Sequence, residues 1–262
     1  MRQLFSRPDL YISRCGNLDC DVVERRVPAP GFMRGLHALF VCDTHVLPRT
    51  SARDIDALVG RIAAQRPEIL LLGGDYADRP ENAIRLFQGM ATLHPPLGGF
   101  AVMGNNDAEA WPDARALRDA LGAAGIRLLL NESAKIPLNS GTLIIGGVEE
   151  HKFGSPDTRG LYPESAAPDT WRVLLSHYPC APDVAPDVML SGHTHGGQFN
   201  LLGLTPFTIG FERIFRRDIA SMAVEGQREQ GDMRLIVSKG IGASRLQWRV
   251  GVRPQVDLIV FE

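Results

Sequence analysis

The stretch that decides the fold is EILLLGG, residues 68–74, in which an unbroken apolar run ends at two glycines. An apolar run of this length without alternation predicts a strand that is buried on both faces, as in a parallel sheet. HALFVC at 37–42 and GGFAVM at 98–103 show the same pattern on either side of it. The first half of the chain therefore predicts a largely parallel sheet.

Helical patterns separate these strands. A first helix is marked by apolar residues at i, i+3, i+4 and i+7 after a candidate N-cap at Ser51. Strand, helix and strand in this order predict right-handed crossovers between parallel strands. The apolar positions of the three helices are Ile55, Leu58, Val59 and Ile62, then Ala83, Leu86, Phe87 and Met90, then Ala114, Leu117 and Leu121.

The second half is richer in strands, which predicts an antiparallel component. Residues 150–170 are polar and rich in Gly and Pro, so they predict a long surface loop, and such loops are often functional. The expected fold class is α/β, with two packed mixed β-sheets forming a β-sandwich core flanked by helices. The later strand-like runs are 126–130, 141–148, 171–176, 187–192, 233–240 and 255–262.

Composition restricts the class of protein. The chain of 262 residues is 44% hydrophobic and 22% charged, as a globular protein is. Its net charge of −2 argues against nucleic acid as a partner. No apolar run reaches the roughly 20 residues of a spanning helix, and the N-terminus lacks a secretory pattern. We therefore expect a cytoplasmic protein with four reduced cysteines, and peripheral contact with a membrane stays open.

Polar side chains with metal-binding chemistry follow five of the apolar runs. Loops at the carboxyl ends of strands build the sites of open α/β sheets, so these side chains are expected to converge. His37 and His94 do not share this position and are interpreted as structural. The converging set is Asp43, His45, Asp75, Asn105, His177, His193 and His195.

Carboxylate, amide and imidazole donors together suit Mn, Fe or Zn. Residues i and i+2 of an extended chain face the same side, so Asp43 is predicted to share a face with His45, and His193 with His195. Seven donors exceed one tetrahedral zinc site and match two divalent ions with a shared bridge. Each short motif alone is explained as well by a turn or a satisfied polar pair; their conjunction favours metal.

Taken in order, these motifs resemble the signature of the calcineurin-like metallophosphoesterases. The resemblance runs from about residue 35 to the C-terminus, so we expect one metallophosphoesterase domain at 35–262 after an extension at 1–34. It implies a metallo-dependent phosphatase-like fold with four layers, α/β/β/α. The motifs are DTH at 43–45, GDYAD at 74–78, GNND at 104–107, SHYP at 176–179 and GHTHGGQ at 192–198.

The resemblance also implies a role for each donor. Asp43, His45 and His195 would hold one metal, Asp75 would bridge, and Asn105, His177 and His193 would hold the other. The implied activity is that of a dinuclear phosphohydrolase in which a hydroxide shared by the ions attacks phosphorus. Asp75, His193 and Asn106 are the residues expected to take part in catalysis.

One position departs from the family pattern. The usual motif is Gly-Asn-His followed by an acidic residue, whereas this chain has Asn106 in place of the histidine. An amide cannot protonate a leaving alkoxide. We therefore expect a phosphodiester or phosphoanhydride substrate, whose leaving group departs as a stable anion. A non-catalytic metal-binding scaffold with the same fold and a phosphomonoesterase are the alternatives. Asp107 has no assigned role beyond bracing its loop.

The segment QFNLLGLTPFTIGF, 198–211, bears on the substrate. Its nearly uncharged sequence predicts core or a buried hairpin, with an apolar wall for an acyl chain as the alternative. GHTHGGQFNLLGLTPF and VSKGIGAS are similar to a bacterial branch of phosphohydrolases, some of which act on phospholipid or nucleotide-lipid diphosphates. A phosphorylated small molecule or lipid is the expected substrate. Residues assigned to its binding or to a cationic rim are His151, Arg213, Arg216, Arg217, Arg245, Arg249 and Arg253.

Overall fold

The apolar runs that predict strands form two six-stranded sheets and leave a third, two-stranded ribbon. The computed structural model describes residues 11–163, 169–202, 204–206 and 223–262. Within them the strands are β1 (Ile12–Arg14), β2 (Asp21–Val27), β3 (His37–Val41), β4 (Ile69–Leu72), β5 (Gly99–Ala101), β6 (Ile126–Leu128), β7 (Glu132–Leu138), β8 (Gly141–Gly147), β9 (Thr170–Leu175), β10 (Val188–Ser191), β11 (Gly226–Gln230), β12 (Met233–Val237), β13 (Trp248–Val250) and β14 (Gln255–Phe261).

The first sheet has the order β2-β14-β3-β4-β5-β6, and the second has the order β11-β12-β10-β9-β8-β7. Strands β3 to β6 are parallel, as expected, and β14 enters antiparallel to β3. In the second sheet β8, β9, β10 and β12 are parallel. The expected antiparallel component of the second half lies at the two edges of this sheet, where β7 pairs with β8 and β11 pairs with β12. It also includes β13 and β14, which pair antiparallel with β1 and β3.

The main core lies between the two sheets. Phe40, Ile69 and Leu71 of the first sheet belong to one buried cluster with Leu143 and Val173 of the second. Successive side chains of a strand point to opposite faces of the sheet, so the outer faces of the two sheets carry separate buried clusters. The α/β class with two packed mixed sheets flanked by helices is confirmed.

Helices cover the outer face of the first sheet. The predicted helix after Ser51 begins at Ala52, and Ser51 forms a capping box with Asp54. Its buried residues join Leu39 and Leu70 of the sheet in one cluster, together with apolar residues of the other helices. The helices are α1 (Ala52–Ala63), α2 (Pro80–Met90), α3 (Asn105–Ala110) and α4 (Ala114–Ala123).

The outer face of the second sheet carries a third cluster. Ile144, Leu174 and Leu235 lie there together with Leu161 and Tyr162 of the loop before β9. The expected long loop at 150–170 is present up to the start of β9 at Thr170, since its described residues 150–163 and 169 contain no helix or strand. Among the described residues, no helix is both long and apolar enough to span a bilayer.

The segment before residue 35 supplies two strands that the sequence pattern did not predict. β2 pairs with β14 along seven residues at the edge of the first sheet, and β1 pairs with β13. The charge-rich DVVERRV of β2 hides the apolar pattern because it is an edge strand with only Val27 fully buried. This segment is thus part of the sheet framework in its described residues.

Candidate metal centre

The carboxyl ends of five parallel strands meet at one end of the sandwich. One to three residues separate the end of each strand from an expected donor. The strands are β3, β4 and β5 of the first sheet and β9 and β10 of the second. Parallel strands bring their carboxyl ends to the same edge, so the loops that follow them converge. The residues brought together in this way are Asp43, His45, Asp75, Asn105, Asn106, His177, His193 and His195.

Five of these residues have a left-handed backbone rather than an extended one. Asp43, His45 and Asp75 have φ of 51°, 41° and 57°, and His193 and His195 have φ of 69° and 51°. The prediction that i and i+2 share a face was made for extended chain, and its premise is therefore wrong. Such conformations cost about 1–3 kcal/mol per residue and concentrate at functional sites. Each one turns the chain sharply after its strand and aims the side chain at the neighbouring loop.

Asp43, His45 and His195 form the first donor cluster. Their donor atoms lie within 4.8 Å of one another, and all three residues are buried. His195 Nε2 is 3.6 Å from Asp43 Oδ1, and the rings of His45 and His195 are 5.0 Å apart. The cluster therefore offers one carboxylate and two imidazoles to a single point.

Asp75, His177 and His193 form the second donor cluster, by the same 4.8 Å criterion. His177 Nε2 lies 3.4 Å from Asp75 Oδ2 and 3.3 Å from His193 Nδ1. His193 and His195 thus serve different clusters although only one residue separates them. The two left-handed residues send their side chains in different directions.

Asp75 lies between the two clusters. Its Oδ2 is 3.5 Å from His45 Nε2 of the first cluster and 3.4 Å from His177 Nε2 of the second. Its Oδ1 accepts a hydrogen bond of 2.8 Å from the Asn106 backbone N–H, which fixes the orientation of the carboxylate. One carboxylate oxygen therefore faces both clusters, as a bridging ligand must.

Divalent metal ions fit these residues. His45 Nε2 is buried and has no hydrogen-bond partner, which is uncommon for a polar atom in a folded protein. Two buried carboxylates, Asp43 and Asp75, lie close together and need positive charge to offset their repulsion. Carboxylate and imidazole donors without thiolate suit Mn, Fe or Zn. The donor chemistry and the unpaired nitrogen both call for a cation.

The pKa values of the two facing imidazoles of the second cluster shift in opposite directions. Burial lowers the pKa of His193 to about 3, and the adjacent His177 adds to the effect. Burial also disfavours the charged form of His177, but Asp75 and Asp43 outweigh it and raise the pKa to about 10. His177 Nδ1 donates to Gly73 O at 2.7 Å, so this hydrogen bond holds Nε2 towards the site.

Two glycines allow the loops after β4 and β5 to approach each other. A Cβ on Gly74, which has φ of +90°, would lie 2.5 Å from the Gly104 nitrogen. A Cβ on Gly104 would lie 2.1 Å from Asp75 Oδ1. The glycines of GDYAD and GNND are therefore required by the close contact of the two loops.

Asp107 joins these two loops. The fully buried carboxylate accepts hydrogen bonds from the backbone N–H groups of Gly104, Asp75 and Tyr76 at 2.7–2.9 Å. Burial and the neighbouring Asp75 raise its pKa to about 7, against the three donors that favour the anion. Asp107 therefore fixes the relative position of Asp75 and Asn105.

Tyr178 is a residue of the site that sequence reasoning missed. Its hydroxyl donates to Asn105 Oδ1 at 3.2 Å, and its ring stacks on His193 with centroids 3.8 Å apart. Asn105 Nδ2 donates to Asn106 Oδ1 at 2.8 Å, so both ends of the Asn105 amide are held. The signal was available, because Tyr178 directly follows His177 in SHYP.

Asn106 lies beside the first donor cluster. Its Nδ2 is 3.2 Å from His45 Nδ1, and the exposed Asp78 lies 3.7 Å from the same nitrogen. The asparagine thus occupies the place between the metal ligands and the open cleft. It offers an amide to that cleft and no titratable proton.

Arg249 is fully buried behind His195, so the prediction that it belongs to a cationic rim is wrong. Its guanidinium donates to Gly242 O and Lys239 O at 2.6 Å and to His195 O at 3.3 Å, and it lies 3.2 Å from His195 Nδ1. β13 carries Arg249 inwards and Trp248 outwards. The residue pattern did not predict this, since Arg249 lies between Arg245 and Arg253, which are both exposed.

A cleft of about 750 Å³ opens in front of the donors. Asn105, Asn106, Tyr178 and His193 line its floor side, and Lys152 and Arg245 are cations in its wall. Lys152 forms an ion pair with Glu109, which lines the same cleft. The cleft is larger than an inorganic phosphate requires, and its charged lining consists of Lys152 and Arg245 together with the acidic Asp78 and Glu109.

The remaining predicted residues are placed as follows. Arg245 lines the cleft, whereas His151 lies behind Tyr178, with ring centroids 5.3 Å apart, and lines a separate cavity of about 130 Å³. Arg213, Arg216 and Arg217 lie outside the described residues. Arg253 is exposed and stacks on Tyr11.

The segment 198–206 is not the core hairpin that its composition predicts. Gln198 and Thr205 are buried, but Leu201, Leu202 and Leu204 are exposed around a tight turn. The polar Gln198 is the inward residue because it donates to Leu246 O and Trp248 O. Residues 207–211 lie outside the described residues.

A two-sheet α/β fold with paired carboxylate–histidine clusters at its strand ends defines a metal-dependent hydrolase of phosphate esters. The profile of the calcineurin-like phosphoesterase family matches residues 36–197. The chain belongs to this family and is a metal-dependent phosphoesterase, and the family implies divalent metal ions for the two clusters.

Several bacterial relatives are similar over most of their length. A metallophosphoesterase of Aquifex aeolicus is 30% identical over 84% of this chain and 82% of its own. The metallophosphoesterase YkuE of Bacillus subtilis is 25% identical over 84% of this chain and 77% of its own. The phosphodiesterase YaeI of Escherichia coli is 26% identical over 84% of this chain and 80% of its own.

Proposed function

We propose that this phosphoesterase is dinuclear and cleaves phosphodiester or phosphoanhydride bonds. The observation that carries the dinuclear assignment is the position of Asp75 Oδ2 between His45 Nε2 and His177 Nε2, at 3.5 and 3.4 Å. The first ion would be held by Asp43, His45, His195 and Asp75. The second would be held by Asp75, Asn105, His177 and His193.

Two divalent ions, when bound, would supply a hydroxide nucleophile and stabilise the charge that develops on the phosphoryl oxygens. The chain's own residues keep the donors in place. Asp107 ties the loops of Asp75 and Asn105 together through three backbone N–H groups. Gly73 O and Arg249 orient His177 and His195 from behind. No protein nucleophile is needed, and Ser176 is engaged with Tyr178 O.

Asn106 supports the choice of bond. Its side chain lies at the border of donors and cleft, where it can hydrogen-bond a phosphoryl oxygen but cannot protonate a leaving group. Loss of a general acid costs about 10²–10⁴ in rate when the leaving group is a poor one. A phosphate or an aryl oxide leaves readily as an anion, so anhydrides, and diesters with such a leaving group, suit this site better than alkyl monoesters. The relative in Escherichia coli carries the name phosphodiesterase.

The cleft supports a substrate with more than one charged group. Arg245 lines it beyond the donors and can pair with a second phosphate, and Lys152 can do so by exchanging its ion pair with Glu109. A cleft of about 750 Å³ accommodates a nucleotide-sized group. The substrate class is therefore a phosphorylated small molecule or a lipid-linked diphosphate.

Asp75→Asn tests the shared carboxylate. We expect this variant to lose one ion per chain and nearly all activity, because an amide cannot bridge two cations. Elemental analysis of purified protein, set beside turnover of an aryl phosphodiester, measures both. Asp56→Asn, an exposed aspartate on α1, is the matched control. A variant at Asp75 with wild-type metal content and rate would overturn the dinuclear assignment.

The bond preference is tested on metal-loaded protein with three substrate types: aryl diesters, nucleoside diphosphate diesters and alkyl monoesters. We expect kcat/KM for the first two to exceed that for alkyl monoesters by about 10² or more. Asn106→His should raise turnover of the alkyl monoester and add a pH-dependent limb, since an imidazole near its ordinary pKa can donate a proton.

Asn106→Ala removes the amide without adding an acid, so it shows which effects of Asn106→His come from the loss of the amide alone. It should lower activity on all substrates alike and leave the metal content unchanged. If the wild-type protein prefers alkyl monoesters, the assignment of the bond is wrong even where the dinuclear assignment holds.

A further inference from the structure

Six large hydrophobic side chains gather on one exposed surface around β13. Each of these side chains is between 48 and 91% exposed. One comes from β1, one from β13, one from the loop just before β13, and three from the turn that follows Gln198. We call this surface the β13 face. It consists of Ile12, Leu201, Leu202, Leu204, Leu246 and Trp248.

Backbone pairing holds these residues together. β1 pairs with β13 so that Ile12 lies opposite Val250 and Arg14 opposite Trp248. Directly paired residues of two strands face the same side, so Ile12, Arg14 and Trp248 share the outer face, while Arg249 points inwards. On the other edge of β13, Asn200 N donates to Val250 O at 2.8 Å. The turn that exposes the three leucines is thereby fixed to the same strand.

Among the residues that the structure describes, nothing in the fold accounts for the exposure of these side chains. Leu202 is 91% exposed and also has a left-handed backbone, with φ of 54°. A leucine there contributes neither buried area nor a relaxed turn, for which Gly or Asn is the usual residue. Contiguous apolar patches on soluble domains mark contact surfaces.

The charge of this surface identifies the partner. The three segments that build it, 11–18, 198–206 and 244–253, contain no acidic residue, although the whole chain has a net charge of −2. Arg14, Arg245 and Arg253 are exposed within them. Exposed leucines and a tryptophan among arginines, without carboxylates, complement an anionic phospholipid surface.

The β13 face borders the catalytic cleft. Ser244 and Arg245 line the cleft, and Leu246 follows them on the face. Gln198 ties the two parts together, because its Oε1 accepts from Ser244 N and its Nε2 donates to Leu246 O. A membrane on this face would therefore lie at the mouth of the cleft.

We propose that the β13 face docks the enzyme on anionic membranes, with the leucines and Trp248 in the interface and the arginines at the headgroups. Docking in this orientation would hold the cleft at the level of the headgroups. It concerns where the enzyme works and does not depend on which phosphate bond is cleaved.

Vesicle flotation of the full chain tests this proposal. We expect binding to vesicles of phosphatidylcholine with phosphatidylglycerol, weaker binding to phosphatidylcholine alone, and loss of the difference at high salt. Leu202→Asp with Leu246→Asp should lower binding at least about tenfold. Arg14→Gln and Arg253→Gln should each lower it about fivefold. Turnover of a soluble aryl diester should stay unchanged in the double leucine variant, which shows that the fold is intact.

Ile84→Asp is the matched control, since Ile84 is a large exposed residue on α2, which packs against α1 and α4. It should bind vesicles as the wild type does. Absence of binding at low salt, or equal binding by the wild type and the double leucine variant, would overturn the proposal. Light scattering tests the alternative that a second copy of this chain covers the face. A dimer that the leucine substitutions dissociate, in the absence of vesicle binding, would show that the face is a self-association surface instead.

Discussion

At the scale of single residues, Tyr178 connects three of the donors proposed for the second ion. Its hydroxyl holds the Asn105 amide, its ring stacks on His193, and it stands next to His177 in the chain. It therefore contacts all the donors proposed for the second ion except Asp75. Partners of this kind fix ligand orientation and tune metal affinity.

Tyr178→Phe should weaken binding of one ion about tenfold and leave the other unchanged, because the hydrogen bond to Asn105 is removed while the ring stacking on His193 is kept. Metal titration followed by calorimetry resolves the two affinities without any activity assay. Tyr162→Phe is the control, since that hydroxyl donates to Val173 O in the third cluster. Equal affinities in Tyr178→Phe and the wild type would show that the hydroxyl does not position Asn105.

At the scale of elements, β13 is a short strand with two separate tasks. Its inner residue Arg249 donates to Lys239 O and Gly242 O in the loop before β13 and to His195 O, and its outer residue Trp248 belongs to the β13 face. β1 pairs with its outer edge. A strand of three residues can serve both sides because successive side chains point to opposite faces.

Arg249→Met should destabilise the protein and weaken the first ion. Each buried carbonyl left without a donor costs about 1–3 kcal/mol, partly offset because the buried charge is also removed. Urea unfolding gives the stability, and metal titration gives the affinity. Arg253→Met, an exposed arginine a few residues on, is the control and should change neither. Unchanged affinity for both ions would mean that Arg249 does not support His195.

At the scale of the whole molecule, the two sheets meet at the donors. Asp43 and Asp75 come from the first sheet and His177, His193 and His195 from the second. Each cluster contains ligands from both sheets. Ions bound there would join the sheets at this end of the sandwich, in addition to the apolar core between them.

Metal removal should therefore lower the thermal stability of the whole chain. An ion that binds only the folded state at 100 times its Kd contributes about 2.7 kcal/mol, which raises Tm by roughly 5–10 °C per ion. Calorimetry with and without chelator measures this difference. Asp75→Asn should show a smaller difference in Tm with and without chelator. A wild-type Tm that chelator does not change would contradict the expectation.

The sequence by itself determined the fold class, the apolar strands at the centre of both sheets and the set of candidate donors. These strands carry apolar runs and the candidate donors follow them closely, so both are visible in a local window, as EILLLGG before Asp75 shows. Edge strands such as β2 and β11 escaped because their residues are largely exposed and polar.

Only the tertiary structure decided how the donors divide and what supports them. Left-handed backbone at His193 and His195 sends neighbours to different clusters, and a pattern of residue types does not encode φ. Asp107, Tyr178 and Arg249 gain their roles from contacts with residues far away in the chain, as do the leucines of the β13 face. Local patterns record burial and spacing along one segment, whereas a site assembled from five loops depends on distances that exist only after the sheets have packed.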